Sequence, residues 1–328
     1  MSQAKHPRVS GFECSGAERK SRNARLVVVG SSNTDMVVKS ERIPRGGETV
    51  IGGEFIMVPG GKGANQAVCA AKLGAHVKLV TRVGDDSFGE RSLANFVREG
   101  VDTQFVVKDP SAPSGVALIV VDDSGENAIV VAPGANQRVT PEDVDRAKEA
   151  IAQADAVVLQ LEIPAETVAH SIRLARSMGV RVVLNPAPIR PMSKDLLGMV
   201  DVLVPNQHEA AELIGKPGEG GDIDSVSAAR ELRSLGAGAV VITLGGRGSY
   251  VCAEGISEFV EPMHVTPVDT TAAGDAFTAS LACALAEGND LLAAVRFGTR
   301  VAAISVTLVG AQPSMPTRAE VESYVFGN

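Results

Sequence analysis

The sequence predicts an α/β fold in which a parallel sheet is covered by helices and carries a small second sheet. Three observations predict it. Short, continuous apolar runs recur along the chain, helical patterns separate the later ones, and two further strand-like stretches break the rhythm. Strand–helix alternation implies parallel strands, and continuous apolar strands suit a sheet buried on both faces.

In chain order, 25–30 (RLVVVG) reads as a buried opening strand. Apolar runs at 76–83, 156–161, 180–184, 201–204 and 239–243 supply further strands, and 141–152, 165–178, 208–214 and 225–235 carry helical patterns. The stretches 48–58 and 115–131 alternate partly and are joined by turns rich in Gly and Asp, as in 122–126. They read as a small antiparallel sheet that projects from the core and can close over a ligand. A Gly-rich acidic loop spans 216–224, and the first 24 residues read as a flexible polar, basic tail. One domain then covers 25–328, with lid strands from about 36–58 and 114–136.

The chain has 328 residues, 45% of them hydrophobic, enough for a sizeable core. A net charge of −8, no basic block, two Tyr and no Trp argue against nucleic acid as a partner. Cysteines at 14, 69, 252 and 283 form neither a CxxC pair nor a metal spacing, which points to free thiols in the cytoplasm. No apolar run reaches membrane-span length, so no membrane partner is expected.

The densest chemical signal is 269–277, DTTAAGDAF, ahead of a long apolar helical run. A helix start presents unpaired N–H groups and positive potential. Small residues at Ala272, Ala273 and Gly274 let an anion approach those groups, with the Asp275 carboxylate alongside to take a proton. That pairing is what phosphoryl transfer to an alcohol needs. The same residues also suit an ordinary cap. GGKGANQ at 60–66 opens a second helix, but it is neither a Walker A loop nor GxGxxG. Gly60 and Gly61 permit close backbone approach, and Lys62 and Asn65 can donate to hydroxyls; a plain glycine turn is the alternative. Asn33 and Asp35 follow the first strand, where α/β sheets bind ligands, and can hold two hydroxyls or simply form an Asx turn. Asn206 and Glu209 start another helix and can organise phosphate and a hydrated Mg²⁺. The glycines of TLGGRG at 243–248 permit a nucleotide to lie against the backbone. Zinc motifs and Ser/His/Asp signatures are missing.

In their order these segments resemble the ribokinase-like family of ATP-dependent sugar and nucleoside kinases, from Leu26 to about Pro316. GGKGANQA at 60–67 and DTTAAGDAF at 269–277 look like its two signatures, and NTD at 33–35, NPAP at 185–188, TLGGRG at 243–248 and GAQPS at 310–314 fit as well. The resemblance implies a three-layer α/β/α core with a β lid, and ATP-dependent phosphorylation of D-ribose at O5. It implies that Asn33, Asp35, Gly61, Lys62, Gly63, Asn65 and Glu162 bind the sugar and that Asp275 is the general base. It implies an anion hole of backbone N–H groups at Ala272, Ala273 and Gly274. Nucleotide contacts would come from Asn206, Thr243, Gly245, Gly246, Gly248, Gly274 and Thr299, the last standing where the family often has Asn. Glu209 would serve Mg²⁺ through water. Asp269, Thr271, Ser305, Leu308, Gly310 and Ser314 would surround a monovalent cation, usually K⁺. A homodimer through paired lids is implied too. Related kinases of 2-deoxyribose, fructose, a keto-deoxy sugar acid or adenosine, and a non-catalytic sensor, are the alternatives. A sugar acid would call on an arginine, with Arg42, Arg45 and Arg138 as candidates.

Overall fold

The computed structural model describes residues 23–51, 53–216 and 223–326. The expected tail up to residue 22, with Cys14, and most of the expected 216–224 loop lie outside the described residues. Among the described residues thirteen strands form two sheets: β1 (Arg25–Val29), β2 (Asn33–Lys39), β3 (Phe55–Gly60), β4 (His76–Gly84), β5 (Val106–Asp109), β6 (Gly115–Val121), β7 (Asn127–Ala132), β8 (Ala156–Leu159), β9 (Arg181–Leu184), β10 (Val202–Leu203), β11 (Ala239–Thr243), β12 (Ser249–Ala253) and β13 (Ile256–Val260).

The main sheet runs β13-β12-β11-β10-β9-β8-β1-β4-β5. It is parallel from β5 to β11, and an antiparallel hairpin, β12–β13, closes one edge. Helices cover both faces, as the alternation along β1 shows. Leu26 and Val28 join one buried cluster with the helices Lys62–Lys72 and Ala273–Ala286, while Val27 and Val29 join the other with Ile172 and Leu232. The chain leaves β1 towards β4 on one side and returns through β8 on the other. This reversal of direction opens a crevice at the carboxyl ends of β1 and β8, the place where doubly wound sheets bind ligands.

The small sheet has the order β3-β2-β6-β7. The expectation of an antiparallel sheet needs one correction: β2 and β6 run parallel. They are separated in sequence by β4 and β5 of the core, and a connection that long permits parallel pairing. A second correction concerns residues 48–51, 53 and 54, which form no strand; Glu48 accepts from the Arg45 N–H at 3.0 Å and the Arg42 guanidinium at 2.5 Å and closes a local turn instead. The helical pattern at 141–152 divides at Ala147 into Pro141–Arg146 and Lys148–Gln153. Asn33 and Asp35, read as following the first strand, lie within β2, and their two-residue spacing turns both to one face. Cys69 and Cys283 are free and fully buried. Among the described residues no helix is long and apolar enough to cross a membrane.

Candidate active site

Two cavities meet above the crevice. The first, about 340 Å³, is lined by Asn33, Asp35, Gly61, Lys62, Asn65, Glu162, Asn206, Glu209, Thr271, Ala272 and Asp275, with Ala117, Ile119, Ile129 and Val131 of the small sheet over it. The second, about 320 Å³, is lined by Gly245, Gly246, Gly248, Pro262, Met263, His264, Phe277, Thr299 and Ala302. Thr243, Thr270, Ala273 and Gly274 line both.

The helix Lys62–Lys72 enters the first cavity through Gly61, whose φ of 88° and contacts exclude a side chain: a Cβ there would lie 2.6 Å from the Asn33 nitrogen. Gly63 is not among the cavity residues. It packs against Gly30 and Ser31, and its N–H donates to the Ser31 hydroxyl at 3.3 Å. Glu162 closes this helix start: its Oε2 accepts from the Lys62 N–H at 3.1 Å and the Ser31 hydroxyl at 2.5 Å. Asn33 is oriented by buried Asn136, whose Nδ2 donates to Asn33 Oδ1 at 2.7 Å while its Oδ1 accepts from the Ser32 N–H at 2.8 Å. The Asn33 amide therefore has its own Nδ2 left to donate.

The helix Ala273–Ala286 starts differently. Ala272 stands in the left-handed region at φ 59°, ψ 14°. The Ala273 N–H donates to the Thr270 carbonyl at 3.2 Å, whereas the N–H groups of Gly274 and Asp275 find no acceptor among the described residues. The Ala272 N–H likewise finds no acceptor among the described residues, so of the expected 272–274 only Ala273 is engaged, and Asp275 adds a further open donor. A Cβ built at Gly274 meets nothing within 4 Å, so this glycine leaves open space where the cavities join.

Asp275 is 4% exposed, and each of its oxygens accepts one amide: Oδ2 from Asn65 Nδ2 and Oδ1 from Gln66 Nε2, both at 2.9 Å. Burial pushes its carboxyl up, against the pull of Lys62, Asn65 and Gln66. Asp35 is pushed up to about 7, first by burial and then by the carboxylates of Glu162 and Asp275. Burial works against the Lys62 ammonium, but Asp275, Glu162, Glu209 and Asp35 together outweigh it and raise its pKa. The first cavity is therefore a pocket of carboxylates around one lysine. Neither Arg42, Arg45 nor Arg138 lines it; Arg138 is bound to Asp109 at 2.7 Å and Arg42 to Glu48. Among the described residues no aromatic ring lines it either.

Asn206 and Glu209 cap their helix reciprocally, each accepting the other's backbone N–H at 2.8 Å, and burial pushes the Glu209 carboxyl up. Both line the first cavity and not the second. Thr299 lines the second, but its hydroxyl donates to the Val295 carbonyl at 3.0 Å. Of the expected cation residues, Asp269 accepts from the N–H groups of Thr271 at 2.9 Å and Gly310 at 2.8 Å, which ties two loops together. Burial opposes ionisation of Asp269, yet these donors and the Thr271 hydroxyl hold its carboxyl below the usual range. Ser305, Leu308, Gly310 and Ser314 line neither cavity.

Sequence reasoning passed over Gln66, Gln160, Asn185 and Gln312. Gln160 and Asn185 are the first polar residues after the buried strands β8 and β9, and that position is the signal that could have found them.

A helix start that offers open N–H groups to an anion, with a buried carboxylate in its first turn and a polar cavity on one side, defines a phosphoryl-transfer enzyme acting on a hydroxylated substrate. The pfkB family carbohydrate kinase pattern matches residues 23–318, and the chain belongs to this family. It is 43% identical over 297 residues to a ribokinase of Bacillus subtilis, covering 90% of this chain and 98% of that one. It is 37% identical over 305 residues to a deoxyribokinase of Salmonella typhi, covering 92% and 99%. The structure of Arabidopsis thaliana ribokinase complexed with ribose and ATP matches with a TM-score of 0.83 at 36% identity, covering 92% of this chain and 98% of that one.

Proposed function

We propose that this chain transfers the γ-phosphoryl group of ATP to O5 of D-ribose, giving D-ribose 5-phosphate and ADP. The observation that carries this reading is the position of Asp275: buried, held by two amides, and set in the polar cavity one residue from Gly274, where that cavity meets the glycine-lined one. Ribose takes the first cavity, with Asn33, Asp35, Lys62 and Asn65 meeting its hydroxyls. ATP lies along Gly245, Gly246, Gly248 and Thr299 and brings its terminal phosphate to Gly274. Asp275 removes the 5-hydroxyl proton as the oxygen attacks, and the open N–H groups of Gly274 and Asp275 stabilise the charge on the transferring group. The small sheet acts as a lid whose Ile129 and Val131 exclude water from bound sugar.

The buried Glu209 carboxylate, anchored through one oxygen, would hold Mg²⁺ through water, and the bound ion would supply positive charge for the phosphates. The ionised Asp269, tied to Thr271 and Gly310 by hydrogen bonds, would hold K⁺ together with Ser305, Leu308 and Ser314, and the bound ion would supply fixed positive charge to the anion site. Buried free thiols support a cytoplasmic enzyme. The outer face of the lid supports a homodimer: Met36, Leu118 and Val130 share a register row, and Leu118 and Val130 are 52% and 68% exposed. Light scattering on the wild type and Val130→Glu checks this, with a dimer expected for the first and a monomer for the second.

A coupled ADP-release assay over D-ribose, 2-deoxyribose, fructose and adenosine, with and without K⁺, tests the reaction. D-ribose is expected to turn over best, and Asp275→Asn to lose roughly 10²-fold or more in kcat. Turnover of Asp275→Asn near the wild-type rate would sink the role of the base. A sugar acid or adenosine as best substrate would contradict a cavity whose lining, among the described residues, carries neither arginine nor aromatic ring.

A further inference from the structure

We infer that Gln66 and Gln312 are positioning residues for Asp275: two buried amide chains converge on it, deliver one N–H to each carboxylate oxygen, and fix the direction in which it faces the sugar cavity. The inference rests on Asp275 being the base. One chain runs from Gln160, whose Nε2 donates to Gln66 Oε1 at 2.6 Å, through Gln66 to Asp275 Oδ1 at 2.9 Å. The other starts at the Arg98 guanidinium, which donates to Asn95 Oδ1. It continues from Asn95 Nδ2 to Gln312 Oε1 at 2.7 Å, from Gln312 Nε2 to Asn65 Oδ1 at 3.2 Å, and from Asn65 Nδ2 to Asp275 Oδ2 at 2.9 Å.

Every amide in both chains points its N–H towards Asp275, so each bond polarises the next in the same sense. Asn65, Gln66, Asn95, Gln160 and Gln312 are all buried, and of these only Asn65 lines a cavity. The other four reach the cavity through Asp275 and Asn65, and Gln66 also through cavity-lining Asn185, which accepts from its Nε2 at 3.4 Å. Gln160 Oε1 is buried with no hydrogen-bond partner, and a Cβ at Gly30 would lie 2.0 Å from it. The other end of this amide, donating to Gln66 Oε1, sets the orientation of Gln66. Gln312 also lies two residues from Gly310, the donor to Asp269, so the second chain ties that loop to the base.

The charged and titratable neighbours of Asp275 are Lys62 and Cys69 on their helix, Asp35 on β2, Glu162 beyond β8 and Glu209 on Gln207–Leu213. An amide donor stabilises the ionised carboxylate more than the protonated acid, so its removal raises the pH at which the base becomes active. The test uses the full chain with Gln66→Met and Gln312→Met, unbranched replacements without hydrogen-bonding amides. Gln66→Met is expected to lower kcat about 10-fold at neutral pH, leave KM for ATP unchanged, and move the acid limb of kcat/KM up by about one pH unit. Gln312→Met, one bond further away, is expected to move it about half as far. Variants with the acid limb unmoved overturn the inference, whether activity is retained or merely reduced by loss of folded protein. A wild type that releases no ADP with any pentose overturns the base itself, and the inference with it.

Discussion

Two helix starts face the same cavity, and only one is open. Lys62–Lys72 and Ala273–Ala286 both begin after a residue with positive φ, Gly61 at 88° and Ala272 at 59°. At the first, the N–H groups are satisfied from within the protein: Lys62 by Glu162, Gly63 by the Ser31 hydroxyl, and Ala64 by the Ser31 carbonyl at 2.8 Å. At the second, Gly274 and Asp275 keep their donors. The same positive helix end therefore has two uses. Where a carboxylate already neutralises it, it is architecture that fixes the sugar-side residues; where it is left open beside Gly274, it is an anion site.

The largest effect expected from this contrast comes at the open start. Gly274→Ala meets no steric obstacle in the fold, so stability is expected to hold within about 1 kcal/mol. The added methyl occupies the anion's approach, and kcat is expected to drop about 10²-fold, as when one oxyanion donor is lost. Paired thermal melts and steady-state kinetics check both halves, and unchanged kinetics would break the contrast. At the closed start, Glu162→Ala leaves the Lys62 N–H and the Ser31 hydroxyl without their acceptor. Denaturant melts are expected to show a loss of about 1–2 kcal/mol, with KM for ribose raised. No change in stability would mean that the cap is ornamental.

The last effect is graded with pH. The Asp35 carboxyl, raised from 3.8 to about 7, binds a proton more tightly in the folded chain than in the unfolded one. Between those two values stability falls as pH rises, by up to about 1 kcal/mol per unit, and the slope vanishes above about 7. Asp35→Asn removes the slope. Melts of both proteins at pH 5, 6 and 7 should diverge towards low pH, where the wild type holds its proton; parallel curves would place Asp35 in a wetter site than the structure shows.

Much of this was legible in the chain. Periodicity marked the buried strands, because a residue run such as AVVL has nowhere else to go. The motif order marked both helix starts. The lid was legible as strands but not in its pairing: β2 and β6 are far apart in sequence, and no local signal says that they align. The strand character of Asn33, Thr34 and Asp35 was hidden as well, since NTD reads locally as a turn.

The amino-acid sequence by itself determined which side chains are present to do chemistry: Asp275, Lys62, Asn33, Asp35 and the small residues at 272–274. Those follow from residue type and spacing along a single element. The tertiary structure alone decided which helix start stays open, because Glu162 reaches Lys62 across 100 residues. It alone converged Gln66 and, through Asn65, Gln312 on one carboxylate, and set the base where two cavities meet. Hydrogen bonds have a fixed reach of about 3 Å, and only the packed fold brings residues so distant in sequence within it.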